Sequence, residues 1–416
     1  MDKSRYVDQN QNISFANKKN SQLKSAKSQN KEVISLNCSY IPLEIIAAAG
    51  YKPKRVWPEG IGDRGQEMLP ADYCPYSRAF LSDIYEEDEN MIMANSCDAM
   101  RRVYDVLCLQ TNEQSNEINK EPYNKVVKKN DLEQFILQVP RKTNQMHIEY
   151  FKRKLKNMLK FLLNSKEQNL FQEISKETIC DMIKSEIDEY NSCRSLLREL
   201  RNNLIEANNK SFTMLLDGIV HYFNKEKEEI KKLVSETTNN MDSNESKDNI
   251  STVTDNISQV IDDGQKKFII SSSCLLGEDL IKLIEKLGLN VVGLDSCLGE
   301  RSFDIEIDYE SSDTFSDLIE ILAKSYLKKP ACPRMMEPRQ RLEQIENMIS
   351  SRNADGIIYF IPKFCDQADY DFKYIKEWAE ENKFPVLQLE GEYGAGTSGQ
   401  LNTRVEAFKE ALQLKN

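Results

Sequence analysis

"IIYFIPKFCDQADYD", residues 357–371, opens as a buried strand. Six of its first eight residues are apolar, and no charge stands before Lys363. The apolar run ends at Cys365, with Asp366 immediately after it. In an open parallel sheet, ligands bind outside the carboxyl ends of the strands. A cysteine at such an end reads as a ligand, a nucleophile or a small buried hydrophobe.

Working outward, the same alternation recurs. "KKFIISSSC" (266–274), "NVVGLDSC" (290–297) and "FPVLQLEG" (384–391) read as strands. Helices are expected over 275–288, 338–351, 370–382 and 403–414. Nearer the N-terminus, strands are expected at 54–60, 90–97 and 133–142, and helices at 38–50, 72–86 and 98–108. Pro42 suits the first turn of the helix at 38–50 and Gly50 its stop. Alternating β and α pieces make a parallel sheet the default. From 143 to 234 the apolar spacing is helical, as in "IEYFKRKLKNMLKFLL". The expected division is therefore a disordered polar tail (1–32), a first α/β domain (33–142), a helical segment packed on it (143–234), a flexible linker (235–262) and a second α/β domain (263–416). The fold class is α/β, with two parallel-sheet domains and an added helical segment.

Composition narrows the function. The chain has 416 residues, 40% of them apolar, so sizeable cores are affordable. Its 67 acidic and 56 basic residues give a net charge of −11, which argues against nucleic acid as a main partner. Two histidines leave any metal chemistry to sulfur and oxygen. No run of about 18 apolar residues suggests a membrane span, and the first 30 residues lack the apolar core of a signal peptide. A cytoplasmic protein is expected, its ten cysteines being free thiols or metal ligands rather than disulfides.

Cys97, Cys274, Cys297 and Cys365 fall at or just past expected strand ends. Cys38 and Cys74 lie in loops leading into helices, and Cys332 lies between Pro330 and Pro333, which stiffen its loop. If the two domains face each other, these seven thiols can meet in one cleft. Cys108, Cys180 and Cys193 sit within helices and read as packing residues. No C-x2-C pair is present, so neither a zinc ribbon nor a ferredoxin-type run is indicated. Dispersed thiols can still hold iron when the fold gathers them.

Six blocks, "ADYCPYSRAFL", "NSCDAMRRVYDVL", "VPRKTNQMHIEYFKRKL", "DSCLGERSFD", "ADGIIYFIPKFCDQADYD" and "GQLNTRVEAFKEAL", stand in the order found in the 2-hydroxyacyl-CoA dehydratase and benzoyl-CoA reductase family. The chain resembles that family from about Cys38 to Leu412. The resemblance implies two flavodoxin-like domains with an iron–sulfur cluster held between them by cysteines. It places the three ligands of a [4Fe-4S] cluster at Cys74, Cys97 and Cys365. It also implies an ATP-hydrolysing activator, itself an iron–sulfur protein, that delivers low-potential electrons. The chain is most similar to the double-cubane cluster branch, in which two cubanes share a bridging sulfide. For that branch Cys38, Cys297 and Cys332 complete a set of six, and Cys274 leaves the assignment open. The expected function is an oxygen-sensitive iron–sulfur reductase working as a homodimer. The alternatives are an iron–sulfur subunit of a 2-hydroxyacyl-CoA dehydratase, paired with a related subunit, and a non-catalytic cluster carrier.

Pro75, Asp98 and Gly299 are expected to shape the ligand loops. The glycine-rich "EGEYGAGTSGQLNTR" (390–404) reads as loop punctuation, with contact to a phosphate or CoA group as the alternative. Glu392, Thr403 and Arg404 are candidates for polar contacts there. His147 and His221, in helical stretches, read as solvated or packing residues.

Overall fold

The computed structural model describes residues 32–58, 60–86, 90–112, 127–129, 132–166, 175–206, 211–242, 265–275, 278–392 and 399–413. The expected tail, apart from residue 32, and residues 243–262 of the expected linker lie outside these.

The first unit runs β1 (Val33–Leu36), α1 (Leu43–Ala48), β2 (Lys52–Arg55), α2 (Asp63–Met68), α3 (Pro75–Glu86), β3 (Asn90–Ala94), α4 (Asp98–Asn112), β4 (Val127–Lys129) and β5 (Leu132–Leu137). Its sheet has the order β2–β1–β3–β5–β4. The first four strands are parallel, and β4 pairs antiparallel with β5 at the edge. Pro42 caps α1, and Gly50 takes the left-handed φ of +81° that ends its turn without a Cβ clash.

Four helices follow: α5 (Gln145–Lys166), α6 (Lys176–Glu206), α7 (Thr213–Phe223) and α8 (Lys227–Asp242). The stripe Ile179, Ile183, Ile187, Tyr190, Leu197, Leu200 and Leu204 on α6 is fully buried, as its helical spacing requires. Helix α8 occupies the first eight residues of the expected linker, because Val234 and Thr237 are buried against the bundle despite their polar neighbours.

The second unit comprises β6 (Lys267–Ser272), α9 (Asp279–Lys286), β7 (Asn290–Asp295), α10 (Phe315–Lys328), α11 (Pro338–Arg352), β8 (Gly356–Pro362), α12 (Asp366–Asn382), β9 (Val386–Gly391) and α13 (Gly399–Gln413). Its strands are all parallel, in the order β7–β6–β8–β9. Every residue of β8 is buried. Ile357, Tyr359 and Ile361 face α11 and α12, and Ile358 and Phe360 join the main core on the opposite face. The main core is continuous from the first sheet through the helical segment to α10.

Counting parallel strands alone, both units have the order 2-1-3-4 of a flavodoxin-like sheet. The α/β reading with two parallel-sheet units therefore holds. Four elements had no expectation attached: β1, α2, β4 and α10. Strand β1 is only four residues long and abuts the polar tail. Helix α10 opens on a capping box, Thr314 with Asp317, and buries Leu318, Ile319, Leu322, Ala323, Tyr326 and Leu327 at helical spacing, a readable signal. Strands β3, β6, β7 and β8 each end three residues or fewer before their cysteine, so the thiols stand on the loops beyond the sheet. Among the described residues, no helix is long and apolar enough to cross a membrane.

Candidate functional site

In each sheet the strand order reverses between the first strand and the third: β1 and β3 in one unit, β6 and β8 in the other. Crevices at such switch points are where open α/β sheets bind ligands. Cys38 and Cys97 follow β1 and β3, and Cys274 and Cys365 follow β6 and β8.

Polar clamps hold the strand ends. Asn37 accepts from the Ala94 amide at 2.7 Å and donates to the Ala94 carbonyl, tying β1 to β3. The Asn95 side chain accepts from the Val139 amide at 2.8 Å, tying β3 to the segment after β5. The 329–337 loop, which carries Cys332, is fastened to the first unit. Lys329 donates to the carbonyl and hydroxyl of Ser39 at 2.7 and 2.8 Å. Arg334 donates to the carbonyls of Ser96, Val139 and Pro140, and Glu337 accepts from the Thr143 amide and hydroxyl. The carboxyl edges of the two sheets therefore face each other.

Three thiols stand at helix N-termini. Cys74 precedes α3, whose first residue is Pro75, and Cys97 precedes α4. Cys365 caps α12. Cys97 Sγ accepts from the Met100 amide at 3.4 Å, and Cys365 Sγ lies 3.3 Å from the Ser273 hydroxyl. The helix field favours a thiolate at each of these positions. Burial opposes it, pushing Cys97 up to about 12 and Cys365 up to about 11. Cys74, Cys97 and Cys365 act on one another electrostatically. Cys297 and Cys38 lie close enough to Cys332 to act on it. Cys274 donates to Cys297, and this bond, with Arg55, Arg301 and Lys329 nearby, holds the Cys297 thiol below its usual range. The six expected site residues and Cys274 are thus linked to one another by mutual electrostatic influence. Cys108 lies in α4 and Cys180 and Cys193 in α6, outside this set.

Phe364 sets the aim of Cys365. Its φ is +59°, a left-handed turn between β8 and α12, and its ring is 53% exposed. Phe364→Gly is expected to keep or raise stability by up to about 1 kcal/mol, since the strained φ is relieved. Phe364→Val should lower it by roughly 1–2 kcal/mol. Denaturant melts of the two variants check the sign. Gly299, three residues before the end of the turn at Ser302, is also constrained: a Cβ there would lie 2.5 Å from the Leu294 carbonyl oxygen.

The cleft is rich in buried cations. Arg55, Lys329 and Arg334 are nearly inaccessible, and none has a carboxylate in ion-pair range among the described residues. Burial pulls the Lys329 ammonium down to about 7, and the Tyr40 ring lies 4.7 Å from its Nζ. Among the described residues, no three His, Cys, Asp or Glu side chains close on a point that would hold one metal ion. Thiols spread around a cationic cleft suit an extended, anionic, thiolate-ligated group better than a lone zinc ion. By the donor set, the residues fit an iron–sulfur cluster. The surrounding cations were not legible in the sequence. Arg55 in "KPKR" and Lys329 in "LKKP" look like surface charges, and nothing local distinguishes them.

The glycine-rich candidates contribute less. Residues 393–398 lie outside the described residues. Glu392 pairs with Lys363 at 2.7 Å on the surface. Thr403 turns back to the Gly399 carbonyl inside α13, and Arg404 is exposed with no ion pair among the described residues. His147 caps locally with Asn144, and His221 bonds Glu226.

Comparison with known proteins places the chain. The pattern described as "2-hydroxyglutaryl-CoA dehydratase, D-component" matches residues 38–412. The chain is 24% identical to the (R)-phenyllactyl-CoA dehydratase beta subunit of Clostridium sporogenes over 384 residues, covering 90% of each chain. It is 23% identical to the (R)-2-hydroxyglutaryl-CoA dehydratase subunit beta of Acidaminococcus fermentans, over 93% of this chain and 94% of that one. A shorter match, 22% over 148 residues, is to the lactoyl-CoA dehydratase subunit beta of Anaerotignum propionicum. With the family pattern spanning the second sheet, every strand of the first but β1, and all seven thiols, the chain belongs to the 2-hydroxyglutaryl-CoA dehydratase D-component family of enzyme subunits.

Proposed function

We propose that the chain is the iron–sulfur subunit of a 2-hydroxyacyl-CoA dehydratase, working with a related subunit and fed electrons by an ATP-hydrolysing activator. The names of the long relatives, both beta subunits of such dehydratases, support this reading. The observation that supports it is the placing of Cys74, Cys97 and Cys365 at three helix N-termini, near enough to influence one another electrostatically. A bound cluster there would supply single electrons at low potential. The chain's own part is to bury the thiols, hold their loops through Asn37, Arg334 and Lys329, and exclude water from the crevice.

A second reading is favoured by a separate observation. Cys38, Cys297 and Cys332 all lie close enough to Lys329 to act on its charge, and three further thiols are what a double-cubane cluster in a homodimeric reductase would need. Iron and acid-labile sulfide per chain, on protein purified without oxygen, separate the two. Near four iron supports the dehydratase subunit. Near eight supports the double cubane, in which case Cys38→Ala should lower bound iron. Cys97→Ala should abolish or strongly reduce iron under both readings. Full iron in Cys97→Ala would remove the ligand assignment. Formation of 2-enoyl-CoA from a 2-hydroxyacyl-CoA, with activator, ATP and a partner subunit added, tests the reaction itself.

A further inference from the structure

Buried arginines elsewhere in the molecule carry carboxylate partners. Arg194 pairs with Glu44, Arg341 with Asp295 and Asp371, and Arg352 with Glu300. Arg334 has no carboxylate but makes hydrogen bonds to three carbonyls. Arg55, the last residue of β2, has neither. It is 2% exposed, and its Nη2 reaches only the sulfur of Cys297, at 3.7 Å. Among the described residues its Nε and Nη1 find no hydrogen-bond partner. Its electrostatic neighbours are Tyr76, Cys297, Cys38 and Cys274, and of these the Cys297 thiol, held below its usual range, is the one placed to carry a partial countercharge. A guanidinium does not lose its proton to escape burial. An unpaired buried charge with unmade donors is among the most costly arrangements in a fold. Among the described residues the protein offers it one long contact to a thiol and leaves two donors unmade, and an anion in the crevice would meet them.

We propose that Arg55 is a positioning residue for the cluster, a fixed countercharge that binds the Cys297 thiolate, turns its free N–H groups toward the cluster and raises the cluster's reduction potential. This rests on the reading that the crevice holds an iron–sulfur cluster. Reduction adds a negative charge, so a neighbouring cation favours the reduced state. In the iron-free chain the same cation is a liability. Loading should therefore reverse the sign of its contribution to stability, which a purely structural arginine would not do.

The test uses the full chain, purified without oxygen, as wild type, Arg55→Met, Arg55→Gln and Arg55→Lys. Reductive titration of loaded protein should show the neutral variants about tenfold or more harder to reduce, a fall of about 59 mV for a one-electron couple. Arg55→Lys should recover most of it. After chelator treatment, the neutral variants should resist denaturant at least as well as iron-free wild type, while their loaded forms unfold earlier than loaded wild type. Arg55→Gln keeps hydrogen-bonding capacity and carries the test if Arg55→Met does not fold. An unchanged potential in loaded neutral variants overturns the proposal, as does an equal loss of stability with and without iron. Wild type that binds no iron overturns the cluster reading itself, and this proposal with it.

Discussion

Glu44→Gln is expected to destabilise the folded chain by about 3–5 kcal/mol. Glu44 on α1 and Arg194 on α6 form an ion pair at 2.6 Å, with both side chains 0% exposed. Glu44 also accepts from the Tyr326 hydroxyl of α10 at 2.8 Å, and Arg194 Nε donates to the Tyr222 hydroxyl of α7. One carboxylate thus joins the first unit, the helical segment and the second unit. Neutralising it leaves the guanidinium in a dry core with only neutral partners, the Tyr222 and Tyr326 hydroxyls and the Asn191 side-chain oxygen. Removing both charges together, as Glu44→Leu with Arg194→Met, should cost less than the sum of the two single changes, because neither charge is then stranded. Denaturant melts of the two singles and the double close the cycle. Additive losses would show that the pair does not act as a unit.

Asp295→Asn should have an effect of similar size, about 3–5 kcal/mol, with a distinctive pH dependence. Asp295 ends β7 and is buried among Arg341, Arg301 and the Ser271 hydroxyl. Burial alone would raise its pKa, but the two guanidinium groups prevail and hold it at about 2. The folded value lies below the unfolded one, near 3.9. The group therefore stabilises the fold above that value, and the contribution fades as pH falls through the folded value. The wild type should lose roughly 2–3 kcal/mol from this source between roughly pH 5 and pH 1. Asp295→Asn should be weaker at neutral pH and flatter on the acid side. Parallel acid slopes for the two proteins would assign the acid sensitivity to other carboxylates, such as Glu300.

The main lines of this structure were legible because burial writes itself into local pattern. β8 reads as a strand from seven consecutive residues, Cys97 and Cys365 mark strand-to-helix loops by their place in that pattern, and Cys74 marks a loop leading into a helix. β1 escaped because three apolar residues and a serine beside a polar tail carry little periodic signal. α10 was within reach, since Thr314 and Asp317 announce its start. The seven thiols could be nominated, but their grouping depends on how two sheets separated by a helical segment face each other. Arg55 marks the limit. A lysine-flanked arginine at the end of a short strand looks solvated, and only the assembled fold reveals that it is enclosed.

The fastening of the 329–337 loop has a consequence for biosynthesis. Lys329 meets Ser39 across 290 residues of chain. At about 5–20 residues per second, translation needs roughly 15–60 s to deliver that lysine after the serine has been made. Throughout that interval the loop bearing Cys38 has no second unit to cover it. The nascent chain must carry an open thiol site through most of its own synthesis, so the vulnerable period for oxidation precedes folding.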